Sequence, residues 1–197
     1  MGTLISPDWV LTDQDCGNRF GGTVDTIVYF YFDDPYNRQV YRAVQAAGTA
    51  VDIRYLKVQY IGGGTPLVIP PVPIKCDPIY PATGTSIFWS IADDADKTRT
   101  FTTVEHLIEP QEECMSELRI VPTLGATTYP NYYCTNDQSE YRTTGAPFLT
   151  RDAAGGFQLI GEVGYAYFTG KTMLPTYVQR VSSDVAQMQA ITGAVCA

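Results

Sequence analysis

An all-β fold is predicted, and three features of the sequence predict it. Runs of β-branched and aromatic residues recur along the 197 positions. Clusters of Gly, Pro, Asn and Asp separate those runs, and convincing helical spacing is confined to the end of the chain. Short strands bounded by frequent turn signals fit a β-sandwich or barrels.

The elements follow in order. "WVLTDQDC" (9–16) reads as a buried strand running into a cysteine, with acids just before it. "TIVYFYF" (26–32), "VDIRYLKVQY" (51–60) and "FQLIGEVGYAYF" (157–168) are strands by composition. "DDPYN", "IGGGTP" and "RDAAGG" are the turns between such runs. "IPPVPIKCDPIYPATG" (69–84) holds five prolines, which forbid a central strand or a helix, so it is a linker. In "SSDVAQMQAI", Ser182 or Ser183 is the expected N-cap and Asp184 falls in the first turn. Val185, Met188 and Ile191 or Thr192 then share one face, and Gly193 is the expected stop.

Bulk properties exclude several functions. Hydrophobic residues make up 45% and charged residues 17%, the balance of a globular chain with a core. The net charge of −8 comes with no basic run, which argues against a nucleic-acid partner. No apolar run reaches the ~20 residues of a membrane span. No charged-then-apolar leader follows Met1, so a leader has been removed or the true N-terminus is missing. "IGGGTP" lacks the following Lys-Ser/Thr of a phosphate loop, and one His with scattered Cys gives no metal-ligand spacing. Neither a metal nor another cofactor is expected.

Segments along almost the whole chain resemble the chymotrypsin/trypsin-like serine proteases, in that family's order. "GTLISPDWVLT" before Cys16 is similar to "GGTLIS..WVLTAAHC", and "VDIRYLKV" to "NDIALLKL". "VPIKCDP" resembles the proline-cysteine linker, and "PATGTSIFWSI" the Gly-Thr stretch ahead of a Trp. "EECMSEL" and "NYYC" match two ends of a disulfide loop, and "TTGAPFL" stands where "DSGGPLV" belongs. "FQLIGEVGY" resembles "WQLVGIVSW", and "PTYVQRVSSDV" resembles "PGVYTRVSSYV". The resemblance implies two antiparallel six-stranded β-barrels, the first truncated at its N-terminus, and a C-terminal α-helix. The implied boundaries are 1–70 for the incomplete first barrel, 71–84 for the linker, 85–180 for the second barrel and 181–193 for the helix.

The same resemblance implies that the chemistry is gone. Acyl transfer by this mechanism needs a hydroxyl nucleophile, an imidazole base, an orienting carboxylate and backbone donors for the oxyanion. The position matching the histidine is Asp15, a poor general base for a hydroxyl at neutral pH. Asp52 matches the orienting aspartate, so two carboxylates face each other. Thr144 stands for the serine, Arg142 for the oxyanion-hole glycine, and Thr143 for the aspartate that pairs with a new N-terminus. Gln138 occupies the specificity position, so nothing suggests cleavage after Lys or Arg. The only histidine, His106, is expected to be a surface or half-buried strand residue away from the cleft.

The resemblance also pairs Cys114 with Cys134, closing a loop that contributes roughly 3 kcal/mol by chain entropy. Two other family disulfides are absent as pairs, with Ile87 and Thr150 replacing one and Glu140 marking the loss of another. Cys16, Cys76 and Cys196 remain unassigned. They imply a missing N-terminal piece, an intermolecular bond or reduced thiols.

Three functions are open at this point. The chain is expected to be a non-catalytic serine protease homologue that binds another protein as cofactor, decoy, inhibitor or regulatory partner. Alternatively it is a structural subunit, completed by strand addition at an open edge between Thr3 and Leu11. The third is a weakly active serine-type endopeptidase. Disulfides favour an extracellular, secreted protein, and no Asn-x-Ser/Thr site for N-glycosylation is present.

Overall fold

The computed structural model describes residues 1–14, 27–31, 38–48, 53–66, 68–93, 98–119, 129–135, 144–164, 168–169, 172–173 and 176–197. Two antiparallel sheets dominate. The first holds β1 (Gly2–Ser6), β2 (Trp9–Asp13), β3 (Ile27–Tyr31), β4 (Arg38–Gly48) and β5 (Ile53–Tyr60) in the order β1-β2-β5-β4-β3. The second holds β6 (Thr83–Asp93), β7 (Thr98–Leu107), β8 (Tyr132–Cys134), β9 (Pro147–Arg151), β10 (Phe157–Val163) and β13 (Tyr177–Arg180) in the order β7-β6-β9-β10-β13-β8. A short ribbon pairs β11 (Phe168–Thr169) with β12 (Thr172–Met173).

Strand alternation sorts the apolar residues into separate cores. Successive side chains point to opposite faces. On β5, Ile53 and Tyr55 therefore enter one cluster while Leu56 and Val58 enter another. On β1 and β2, Ile5, Trp9 and Leu11 join the first cluster, and Leu4 and Val10 the second. The first cluster takes in Leu149 and Leu159 of the second sheet, so it is the junction between the two sheets. The second lies inside the first sheet, where Leu4 on one edge strand shares a core with Val28 and Phe30 on the other. Burying each Leu, Ile, Val or Phe contributes about 1.5–3 kcal/mol, so these cores specify which face turns inward.

The second sheet curls on itself. Beyond the ends of β7 and β8, Ile108 and Thr135 form an antiparallel bridge, and the Glu109 N–H donates to the Cys134 carbonyl at 2.9 Å. Phe148, Ile160, Val163 and Val178 fill its interior.

The proline-rich linker is a strap without a regular strand. Val72 N–H donates to the Leu4 carbonyl at 2.9 Å, Leu159 N–H to Pro73 at 2.8 Å, and Lys75 N–H back to Leu159 at 2.9 Å. Ala197 N–H donates to the Ile74 carbonyl at 2.8 Å, and Ile74 is fully buried. The linker thus ties both sheets to the C-terminal tail. A disulfide between Cys76 and Cys196 fastens the same place. That bond assigns two of the three cysteines the sequence leaves unassigned: they pair with each other, because the strap lays Cys76 beside the tail. Cys16 lies outside the described residues.

Among the described residues, two helices complete the fold. Helix α1 (Gln111–Leu118) falls on "EECMSEL", which the sequence marks only as one end of a disulfide loop. Its Cys114 and Leu118, one turn apart, are buried against Tyr132, Cys134 and Tyr177, and Cys114 is bonded to Cys134. Glu112 and Glu113 in its first turn suit the positive end of the helix dipole. Helix α2 (Val185–Thr192) begins later than expected. Val181–Ser183 is a 3-10 turn, and Asp184, not a serine, is the N-cap. Ser183 instead donates to the Arg180 carbonyl at 2.6 Å. Gly193 ends the helix in the left-handed region at φ 66°, as its sequence position predicts.

Candidate functional site

The described part of the candidate site is built around the turn that carries Thr144. Gly145 N–H donates to the Val163 carbonyl at 2.8 Å, and Val163 N–H returns a bond to Ala146 at 2.9 Å. On the other side, the Met1 nitrogen donates to the Thr144 carbonyl at 2.8 Å, and the Thr12 hydroxyl donates to the Met1 carbonyl. The turn is therefore clamped between β10 and the start of the first sheet. Gly145 has φ +81°, and a Cβ on it would lie 2.2 Å from the Met1 carbonyl oxygen, so this turn requires glycine. Thr144 is half-buried, and Thr12 and Asp13 at the end of β2 are buried. Asp15, Asp52, Gln138, Arg142 and Thr143 lie outside the described residues.

The single imidazole is elsewhere occupied. His106 is buried at 4% exposure, which corrects the surface or half-buried placement. Its Nε2 lies 2.6 Å from the hydroxyl oxygen of Ser86, itself buried at 2%. The reason is strand phase. On β7, Glu105 and Leu107 face out, so His106 must face in although Leu107 is the more apolar residue. Gly84, directly across the ladder from His106, makes room for the neighbouring Phe148 ring, which a Cβ there would meet at 2.1 Å. The His106 and Phe148 rings lie 5.6 Å apart. This serine-histidine pair has nucleophile and base chemistry but is sealed inside the second barrel, where no peptide substrate reaches it.

Beside the clamped turn lies a buried acid. Glu162 is 1% exposed on β10, one residue before Val163 and opposite Gln179. The Tyr55 hydroxyl donates to Asp184 Oδ2 at 2.7 Å nearby, across the junction between the first sheet and helix α2. Burial pushes the Tyr55 phenol far above its ordinary value, with the Asp184 hydrogen bond and the Asp184 and Glu162 charges adding to it. Burial also raises Asp184, against the lowering effect of the Tyr55 bond. The signal for Glu162 was an acid inside the apolar run "FQLIGEVGY", a rare place for a charge.

A buried cation braces the second barrel. Arg180 donates to the carbonyls of Pro130 at 3.0 Å and Ile79 at 3.2 Å. Its guanidinium lies 4.9 Å from the Tyr133 ring and 5.7 Å from the Tyr80 ring. No helix among the described residues is long and apolar enough to cross a membrane.

Two sheets, five and six strands, with a helix closing the chain define a trypsin-like fold. The crystal structure of a scabies mite inactivated protease paralogue, S-D1, matches 98% of this chain and 86% of its own with a TM-score of 0.73, at 12% sequence identity. That likeness gives the fold. No family model matches the sequence, and no curated protein does.

Proposed function

We propose that the chain is a non-catalytic homologue of the trypsin-like serine proteases that works by binding another protein. One observation carries the proposal. The sequence holds one histidine, and its ring is committed to Ser86 inside the second barrel. Thr144 therefore has no imidazole base, and Asp15, Arg142 and Thr143 replace the remaining machinery in the family comparison. The structural neighbour is itself named an inactivated protease, which agrees with this reading. Two disulfides fit an oxidising, extracellular setting.

A fluorophosphonate probe tests the loss of chemistry, and no adduct at Thr144 is expected. Stoichiometric labelling of Thr144 would restore the hydrolase reading and remove this one. Affinity capture with cross-linking from the native source then names the bound protein.

The edge of the first sheet supports a second reading. β1 and β3 are its outer strands, and their side chains share one core. A strand supplied by a partner between them would complete the barrel, in which case the chain is a structural subunit. The linker already takes one carbonyl of that edge, Leu4, so an added strand would pair around that point. A stable monomer in analytical ultracentrifugation at micromolar concentration argues against an obligate subunit.

A further inference from the structure

Two acids meet where helix α1 rests on the second barrel. Carboxyl oxygens of Glu109 and Glu117 and the sulfur of Cys134 all lie within 4.8 Å of one another. That sulfur is bonded to Cys114, so it is no thiolate ligand, and two carboxyl groups alone make a poor cation site. Oε2 of each acid is shielded from solvent and has no hydrogen-bond partner among the described residues. A proton held on Glu109 and offered to Glu117 would satisfy both facing carboxyl groups. We propose that Glu109 and Glu117 form a pH-sensitive latch: sharing one proton, they hold helix α1 against the seam of the second barrel, and losing it they release the end of that helix.

Geometry makes the pair a latch rather than a surface detail. Glu109 is fixed to the seam by its N–H bond to Cys134 and by the adjoining Ile108–Thr135 bridge. Glu117 sits in the last turn of α1, beside Leu118, which is fully buried against Tyr132 and Tyr177. The start of α1 is held independently by the Cys114–Cys134 bond and by Cys114 N–H donating to Pro110 at 3.0 Å. Repulsion between two carboxylates therefore acts on the free end and lifts Leu118, while the disulfide keeps the helix attached.

The surrounding charges favour holding the proton. Burial pushes Glu109 up to about 7, helped by the Glu117 charge, the Glu117 hydrogen bond and the Glu113 charge. Burial also raises Glu117, its bond to Glu109 lowers it, and the Glu113 charge raises it. From the linker, Tyr80 is pushed up to about 12, by burial first, with Arg180 lowering it and Tyr133 and Glu109 raising it. Arg180 on β13 gives its hydrogen bonds to the Pro130 and Ile79 carbonyls rather than to either acid. The sign follows from linkage. A carboxyl raised from 4.5 to about 7 stabilises the fold fully below 4.5 and ceases to do so as pH rises through about 7.

Amide hydrogen exchange on the oxidised, full chain tests the latch. Protection of the α1 amides, relative to those of β9 and β10, should fall roughly tenfold or more between about pH 5.5 and about pH 8. Glu117→Gln keeps an acceptor without the charge and should abolish that step, whereas Glu113→Gln should keep it. Equal protection at both pH values, or an unchanged step in Glu117→Gln, overturns the proposal. A carboxyl-carbon NMR titration of the unmodified protein is independent of any variant. One glutamate titrating near 7 supports the latch, and every glutamate titrating in the ordinary range sinks it. Recovery of α1 protection at the higher pH on adding calcium chloride identifies a cation site instead, which also overturns it.

Discussion

The Tyr55 hydroxyl donates to Asp184 Oδ2 at 2.7 Å, so a fully buried tyrosine of the first sheet is bonded directly to the N-cap of helix α2. Tyr55→Phe would leave a partly buried carboxylate without its donor. A loss of about 1–3 kcal/mol in denaturant unfolding is expected. Asp184→Asn keeps an acceptor and should cost less. Burial raises Asp184 above 3.8, so its stabilising contribution is present below that value and declines as pH rises through the folded one. The Asn variant should therefore gain on the wild type between about pH 3 and about pH 7, measured as the difference in urea midpoints. A difference that stays constant contradicts the assignment.

The two disulfides should not be equivalent. Cys76 and Cys196 are 120 residues apart, and Cys114 and Cys134 are 20 apart. In the chain-entropy account the longer loop contributes on the order of 5 kcal/mol and the shorter about 3. Cys76→Ser/Cys196→Ser should accordingly lower the denaturant midpoint more than Cys114→Ser/Cys134→Ser. The first pair also fastens the strap between both sheets and the tail, so its removal should raise exchange at Ile74 and Ala197 together. Equal midpoint shifts would count against the strap as a structural tie.

How legible was this molecule in its sequence? Strands such as Ile53–Tyr60 and Phe157–Val163 were readable because β-branched and aromatic residues run unbroken between turn signals. The linker was readable because proline removes backbone donors, and its strap bonds do use the carbonyl of Pro73. Helix α1 was not, because its eight residues bury only Cys114 and Leu118 and give too short a pattern to see. His106 was misplaced for a different reason. Its inward phase is set by pairing with β6, where Ser86 supplies a hydrogen-bond partner, and that is tertiary information. The Cys76–Cys196 bond likewise depends on the tail folding back along the linker. Thr144 could be singled out by its motif, but the clamp around it joins residues 1, 12 and 163 that no local pattern connects.

Gly145 should tolerate nothing larger. Alanine there meets both a φ of +81° and the Met1 carbonyl oxygen at 2.2 Å. Gly155 has φ +85° with open space around it, so alanine at that hairpin tip meets strain alone. The Gly155→Ala variant should lose about 1–2 kcal/mol, and Gly145→Ala clearly more, since overpacking adds to the backbone term. Thermal unfolding of the two variants side by side separates strain from collision. Matching losses would mean that the Met1 segment yields easily and does not clamp the turn.

The buried Ser86–His106 pair makes the sharpest contrast between structure and catalysis. Ser86→Ala leaves a ring nitrogen of His106 facing an apolar wall, with an expected loss of about 1–3 kcal/mol. Activity cannot follow the same substitution, because both groups are sealed in the barrel at 2% and 4% exposure. Building a base into the proposed site is the converse experiment. Asp15→His with Thr144→Ser would put an imidazole and a serine at the two positions the proposed reading matches to the triad, with Arg142 and Thr143 left at those it matches to the oxyanion-hole glycine and the anchoring aspartate. Losing one oxyanion donor alone costs roughly a hundred- to a thousandfold in rate. The double variant should therefore show no burst with an activated ester. A burst from the double variant would show that the oxyanion hole is already formed in this chain, and that an imidazole and a serine are all the proposed site lacks.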